Sequence, residues 1–188
     1  MINRIKYALA MAFRHRKALS AYRRDKTLQG QSILTLDLML FRTTGIKIIA
    51  LDFDGVLASH GATEIDLEIR NWLNRCIHIF GAGHVFILTN KPSRERSDYF
   101  SKHFSGVEFI FPKRKKPYPD SILSILQKTG VSPSELLVVD DRLLTGILAA
   151  IIVGVRGYYM TKPLVDLHNR RLSELFIMSL RKLERWVF

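Results

Sequence analysis

The sequence predicts an α/β fold built on a parallel sheet, and three observations predict it. From residue 46 to residue 160, short apolar segments alternate with stretches of helical periodicity. Glycines 81, 83, 106, 130 and 154 fall between these segments, where helix ends favour them. Polar residues recur at the carboxyl ends of the apolar segments, the edge at which open α/β folds hold their ligands. Strand–helix alternation at this spacing implies parallel strands joined by right-handed crossovers.

The elements are predicted as follows. Residues 4–23 carry Ile5, Leu9, Ala12, Phe13 and Leu19 at roughly helical spacing, with Arg4, Lys6, Arg14, Arg16, Lys17 and Arg23 between them. That pattern suits a basic amphipathic helix lying on an anionic bilayer, and equally a surface helix packed on the domain. Gly30–Ser32 break the pattern, and 33–41 form an apolar connector. Strands are expected over 46–51, 85–89, 107–111, 136–140 and 155–160. The first helix between them shows Ile69, Trp72, Leu73, Cys76, Ile77 and Phe80 in the i, i+3, i+4, i+7 pattern. Further helices are expected over 93–103, 120–129 and 143–152. The chain thus divides into a basic N-terminal helix and connector (1–45), an α/β domain (46–164) and a basic C-terminal helix (165–188). Trp186, with Leu180, Leu183 and Phe188, is placed to anchor that last helix at an interface.

Composition limits the partners. An apolar content of 47% in 188 residues supports a packed core, and the single cysteine, Cys76, excludes an internal disulfide framework or a cysteine-based zinc site. The net charge of +12 is uneven. Residues 1–45 carry nine Lys/Arg against two Asp, 46–161 fourteen against twelve, and 162–188 six against three. Basic ends on a nearly neutral middle suggest arms that seek a polyanion, either phospholipid or nucleic acid. Few aromatics interleave the N-terminal basic residues, which argues against single-strand stacking and leaves nucleic acid the less favoured partner. No segment reaches the 18 apolar residues of a membrane span. The apolar stretch 7–13 runs into Arg14-His15-Arg16-Lys17, unlike a secretory signal, while an acid-free first 24 residues also fit an organelle transit peptide.

Four polar signals stand at predicted strand ends. Ile48-Ile49-Ala50-Leu51-Asp52-Phe53-Asp54-Gly55 delivers two carboxylates two residues apart, which on extended backbone point the same way. Two close carboxylates need a reason to stay ionised, and a divalent cation is the usual one, magnesium suiting oxygen ligands and phosphate substrates. A capped strand end bearing two solvated acids is the alternative. Thr89-Asn90 follows the second strand, Lys113-Arg114-Lys115-Lys116-Pro117 the third, and Asp140-Asp141 the fourth. Each alone is ordinary. Four in this order, each at the carboxyl end of a strand, are hard to obtain by accident.

That order resembles the four motifs of the haloacid dehalogenase superfamily, and within it the subclass IIIA group of YqeG-like proteins and mitochondrial phosphatidylglycerophosphate phosphatases. The likeness spans roughly residues 32–164, including Gly45-Ile46-Lys47, Leu88-Thr89-Asn90, Lys115-Lys116-Pro117 and Val138-Val139-Asp140-Asp141-Arg142-Leu143-Leu144-Thr145, with an echo in Asn169-Arg170-Arg171. It implies a Rossmann-like three-layer sandwich around a central parallel sheet. It implies Asp52 as nucleophile forming an aspartyl-phosphate, Asp54 as general acid and base, and Thr89 and Lys116 as groups holding the phosphoryl oxygens. It implies Mg2+ held by Asp52, the Asp54 carbonyl and Asp141.

The chain departs from the family pattern in its fourth motif. Asp140 replaces a glycine, Gly146 replaces an acid, and Arg142 replaces an uncharged amide. The second metal-supporting carboxylate has either moved to Asp140 or been lost. Arg142 either binds a substrate phosphate, as Asn90 is also placed to do, or pairs with Asp140. Only 34 residues separate Asp54 from Thr89 and 26 separate Thr89 from Lys116, too few for a cap domain. A capless, open site beside basic arms fits a phosphorylated lipid headgroup at an anionic membrane surface. The expected place is peripheral on the cytoplasmic face of the inner membrane, or on the matrix side in a mitochondrion. The same chemistry on a nucleic-acid end or phosphoprotein, and a decayed binding protein suggested by Gly146, are the competing expectations. His60, just after the first motif, is expected in a solvated loop.

Overall fold

In the computed structural model, which describes residues 2–91 and 93–187, six parallel strands form one sheet in the order β1-β6-β5-β2-β3-β4. Phe188, invoked above for the C-terminal helix, lies outside the described residues. The strands are β1 (Gln29–Gly30), β2 (Ile48–Asp52), β3 (Val85–Leu88), β4 (Val107–Ile110), β5 (Leu136–Asp140) and β6 (Arg156–Met160). The helices are α1 (Ile2–Arg14), α2 (Arg16–Arg24), α3 (Leu38–Thr43), α4 (Leu67–Phe80), α5 (Arg94–His103), α6 (Asp120–Thr129), α7 (Leu148–Val153) and α8 (Arg171–Val187).

Strand residues alternate between two cores, as a pleated sheet with helices on both faces requires. Ile49, Leu51, Ile87, Leu137 and Val139 face α4 and α5, packing with Trp72, Cys76 and Phe100. Ile48, Ala50, Phe86, Leu88 and Val138 face α6 and α7, packing with Ile122, Ile125 and Ala149. The chain leaves β2 toward β3 and β4 on one side and returns to β5 and β6 on the other. The gap between β2 and β5 is therefore the topological switch point, where such sheets open a crevice. Leu51 pairs with Val139 in register, so Asp52 and Asp140 emerge side by side into that crevice.

Most predicted elements lie within two residues of their observed limits, and three differences have local causes. The N-terminal helix is two helices, interrupted at His15, which adopts φ −104° and ψ 19°. The break lets Ala12, Leu19 and Tyr22 pack on Leu143, Leu148 and Tyr159, while Ile5, Leu9 and Phe13 remain exposed. One face thus binds the domain and another is apolar and open. The segment read as a break at Gly30 forms the short edge strand β1 against β6, with Gly30 admitting the Tyr158 ring. The helix expected from Leu143 begins with a π-helical turn, Leu143–Ile147, before α7. No separate cap is inserted among the described residues. A loop with α4 fills the interval between Asp54 and β3, and α5 with β4 the next.

Candidate active site

Asp52 ends β2, and its carboxylate lies 2.9 Å from the Lys116 ammonium. Lys116, in the β4–α6 loop, also reaches Asp140 Oδ2 at 2.5 Å. Asn90 steadies that loop by accepting the Lys116 backbone N–H at 2.7 Å. Asp140 accepts two further bonds on Oδ1, from the Arg142 backbone N–H at 2.9 Å and the Thr145 hydroxyl at 3.4 Å. Asp141 pairs with Arg181 of α8. Asp52, Asp140, Asp141 and Lys116 are all buried, and one oxygen from each carboxylate lies within 4.8 Å of the others.

Three buried carboxylates against Lys116 and Arg181 leave the cluster short of positive charge, and its proton affinities follow. Burial drives Asp52 upward, Lys116 opposes this, and Asp140 and Asp141 add to it, leaving Asp52 well above the usual carboxylate range. Burial likewise pushes Asp141 up to about 7 despite Arg181. Burial works against the Lys116 charge, yet Asp140 and Asp52 hold its proton more firmly than in a free lysine. A hard divalent ion fits such an all-oxygen set, because it supplies the missing charge that both raised carboxyls register.

Gly55 and Gly146 make the cluster possible. A Cβ at 55 would strike Asp141 and Arg181, and Gly55 also takes φ +94°, a turn unfavourable for other residues. A Cβ at 146 would strike the Asp140 carboxylate. Gly146 thus leaves the space that the Asp140 carboxylate occupies, which gives the glycine a structural reason.

Asp54 departs from the simple expectation. Because β2 ends at Asp52, the strand alternation no longer governs residue 54, and its carboxylate turns to Arg96 of α5. Arg96 Nη2 donates to Oδ1 at 2.9 Å and Nη1 to Oδ2 at 3.1 Å, and the Thr89 hydroxyl and Gly61 N–H add bonds of 3.1 and 3.3 Å. Burial opposes ionisation of Asp54, but Arg96 outweighs it and holds the carboxyl below its ordinary value. The two acids therefore share one pocket but not one cation: Lys116 serves Asp52 and Arg96 serves Asp54. Thr89 sits beside Asp54 at the end of β3, also buried.

Arg142 pairs through its guanidinium with Glu184 of α8, Nε donating at 2.8 Å, and not with Asp140, which takes only its backbone N–H. His60 is half-buried in place of solvated, its backbone N–H donating to Glu174 of α8 at 3.1 Å. The pocket, about 380 Å³, is lined by Asp52, Asp54, His60, Asn90, Asp141 and Arg142 together with Arg4 and Phe176. Arg96, Glu174, Arg181 and Glu184 escaped the sequence reading. The last three had a signal, since spacings of seven and three place them on one face of α8.

A carboxylate–lysine cluster at the switch point of a parallel, capless α/β sheet defines a phosphatase of the haloacid dehalogenase type. The model of the mitochondrial PGP phosphatase family matches residues 26–165, and the chain belongs to that family. No curated protein matches. Among solved structures, an uncharacterized protein from Corynebacterium glutamicum aligns with a TM-score of 0.50 and 18% identity, covering 73% of this chain and 96% of that one. A hypothetical protein from Xanthomonas campestris aligns at 0.48 with 14% identity over 84% and 97%. The 3-deoxy-D-manno-octulosonate 8-phosphate phosphatase of Moraxella catarrhalis, in complex with magnesium, phosphate and KDO, aligns at 0.46 with 15% identity over 81% and 98%. Helices α1 and α8 fall outside the family match.

Proposed function

We propose that the protein is a magnesium-dependent phosphomonoesterase that removes the terminal phosphate of phosphatidylglycerophosphate at a membrane surface. The carrying observation is Lys116 bridging Asp52 and Asp140 at the sheet's switch point, with Asp141 alongside.

Asp52 attacks phosphorus, a bond forms from its carboxylate oxygen, and the bond from phosphorus to the glycerol oxygen breaks. Lys116 neutralises the phosphoryl oxygens and the Thr89 hydroxyl orients them, the main protein contribution to such transfers. Asp54 takes up a proton from solvent and gives it to the departing oxygen, then accepts one from the water that cleaves the aspartyl-phosphate. The Arg96 ion pair holds Asp54 in the ionised form needed for that second step. Mg2+ held by Asp52, Asp141, Asp140 and the Asp54 carbonyl supplies charge neutralisation at the phosphate when bound.

Membrane-surface action is supported by an inverted pattern on α8. Its charged Glu174, Arg181 and Glu184 face the protein, while Leu172, Phe176, Leu183 and Trp186 are exposed. No helix among the described residues is long and apolar enough to cross a membrane.

Liposomes containing phosphatidylglycerophosphate should release inorganic phosphate in the presence of Mg2+, and Asp52→Asn should abolish release while melting as wild type does. Hydrolysis of an aryl phosphate without release from the lipid would retain the phosphatase and reject the substrate.

A further inference from the structure

Helices α1 and α8 lie beside the mouth of the catalytic pocket and flank a second, open groove of about 500 Å³, in which Ile5, Leu9 and Leu183 stay partly exposed. Its walls are mostly apolar, with Ile5, Ala8 and Leu9 on one side, Leu180 and Leu183 on the other, and Pro117 and Leu144 at the base. The volume lies within the range of small-ligand sites. The groove is continuous with the catalytic pocket, for Arg4, Arg142, Thr145 and Phe176 line both.

The junction between the two is positively charged. Arg4 and Arg142 approach closely enough that burial and then the Arg142 charge lower the Arg4 proton affinity. Glu184 neutralises one of the pair, leaving an excess of one positive charge at the passage. A ligand fitting this track carries a phosphomonoester at one end, an anionic group in the middle and a hydrocarbon chain beyond. Phosphatidylglycerophosphate has that order of groups: terminal phosphate, internal phosphodiester, acyl chain.

We propose that the α1–α8 groove is an acyl-chain subsite, with Arg4 and Arg142 at the substrate's internal phosphodiester, so that the enzyme draws one lipid chain out of the bilayer while hydrolysing its headgroup. The assignment rests on the phosphatidylglycerophosphate reading above and adds where the lipid lies.

The whole protein is assayed on three soluble phosphomonoesters: dihexanoyl phosphatidylglycerophosphate below its micelle concentration, the same compound deacylated, and an aryl phosphate. Wild type should prefer the acylated compound by about tenfold or more in kcat/KM. Ala8→Trp and Leu180→Asp should erase that preference while aryl phosphate turnover is unchanged. An equal kcat/KM for the acylated and deacylated compounds in wild type, or a preference that survives both variants, overturns the groove. Turnover of the aryl phosphate alone removes the phosphatidylglycerophosphate reading, and calorimetry with dihexanoyl phosphatidylglycerol then decides the groove. Binding lost in the variants supports it, and binding that is absent or unaltered overturns it. Where one variant melts early, the same binding measurement on the other decides.

Discussion

At the scale of single residues, each acid is defined by the cation it meets. Asp52 and Asp54 stand two apart, yet one answers to Lys116 and the other to Arg96. The motif residues were legible because chemistry restricts them to strand ends, where the apolar run makes the end visible. Arg96 was not, because its partner lies 42 positions away and an arginine in a polar helix carries no local mark of burial. Gly146 was visible as a departure, but its meaning needed the Asp140 carboxylate packed against it. Gly146→Ala should therefore injure a site it never touches chemically. Overpacking of this kind costs about 1–3 kcal/mol, so a lowered Tm and at least roughly tenfold slower turnover are expected. An alanine variant with wild-type Tm and kcat would show that Asp140 can move aside freely.

At the scale of elements, the strands and the helices α4 to α6 follow from periodicity because their apolar faces meet the core. Helix α8 does not obey that rule. Its inward residues are charged and find partners 40 to 114 positions away, so its docking was hidden from any local reading. Breaking a buried ion pair leaves an uncompensated charge, at about 3–5 kcal/mol, which is how three polar contacts can hold a helix whose apolar side faces out. Helix α1 presents Ile2, Ile5 and Phe13 outward in the same way. Exposed apolar surface of this extent suits an interaction face, and with nearby Arg16, Lys17 and Arg24 it fits the anionic lipid surface proposed above. Trp186, 79% exposed, is a native reporter. Its fluorescence should shift to the blue on adding vesicles rich in phosphatidylglycerol, less so at high salt, and Phe13→Glu should weaken the response. An unchanged spectrum at saturating lipid would take α8 off the membrane.

At the scale of the whole molecule, the fold gathers three acids at one point and tolerates their repulsion. Asp141, raised to about 7, and Asp52, also raised, retain protons in the folded state that the unfolded chain gives up near pH 4. Their contribution to stability therefore falls as pH climbs from about 4 through about 7. Asp54 has the opposite sign: held low by Arg96, it contributes above the unfolded carboxylate value and loses that contribution as pH falls through its depressed folded value. A divalent ion favours the charged forms of Asp52 and Asp141. Saturating Mg2+ should accordingly raise Tm by about 5–10 °C near pH 8 and by much less near pH 5. Asp141→Asn should remove most of the difference, and equal shifts at both pH values in wild type would place the ion elsewhere.

The contact between residues 140 and 146 also constrains how such a site changes over generations. An acid introduced at 146 meets a position already filled, and loss of the acid at 140 leaves Lys116 with one carboxylate partner in place of two. Each single replacement is therefore expected to harm the site, and an acid at 146 should be tolerated only where Asp140 is replaced as well, which couples the two positions in any later change.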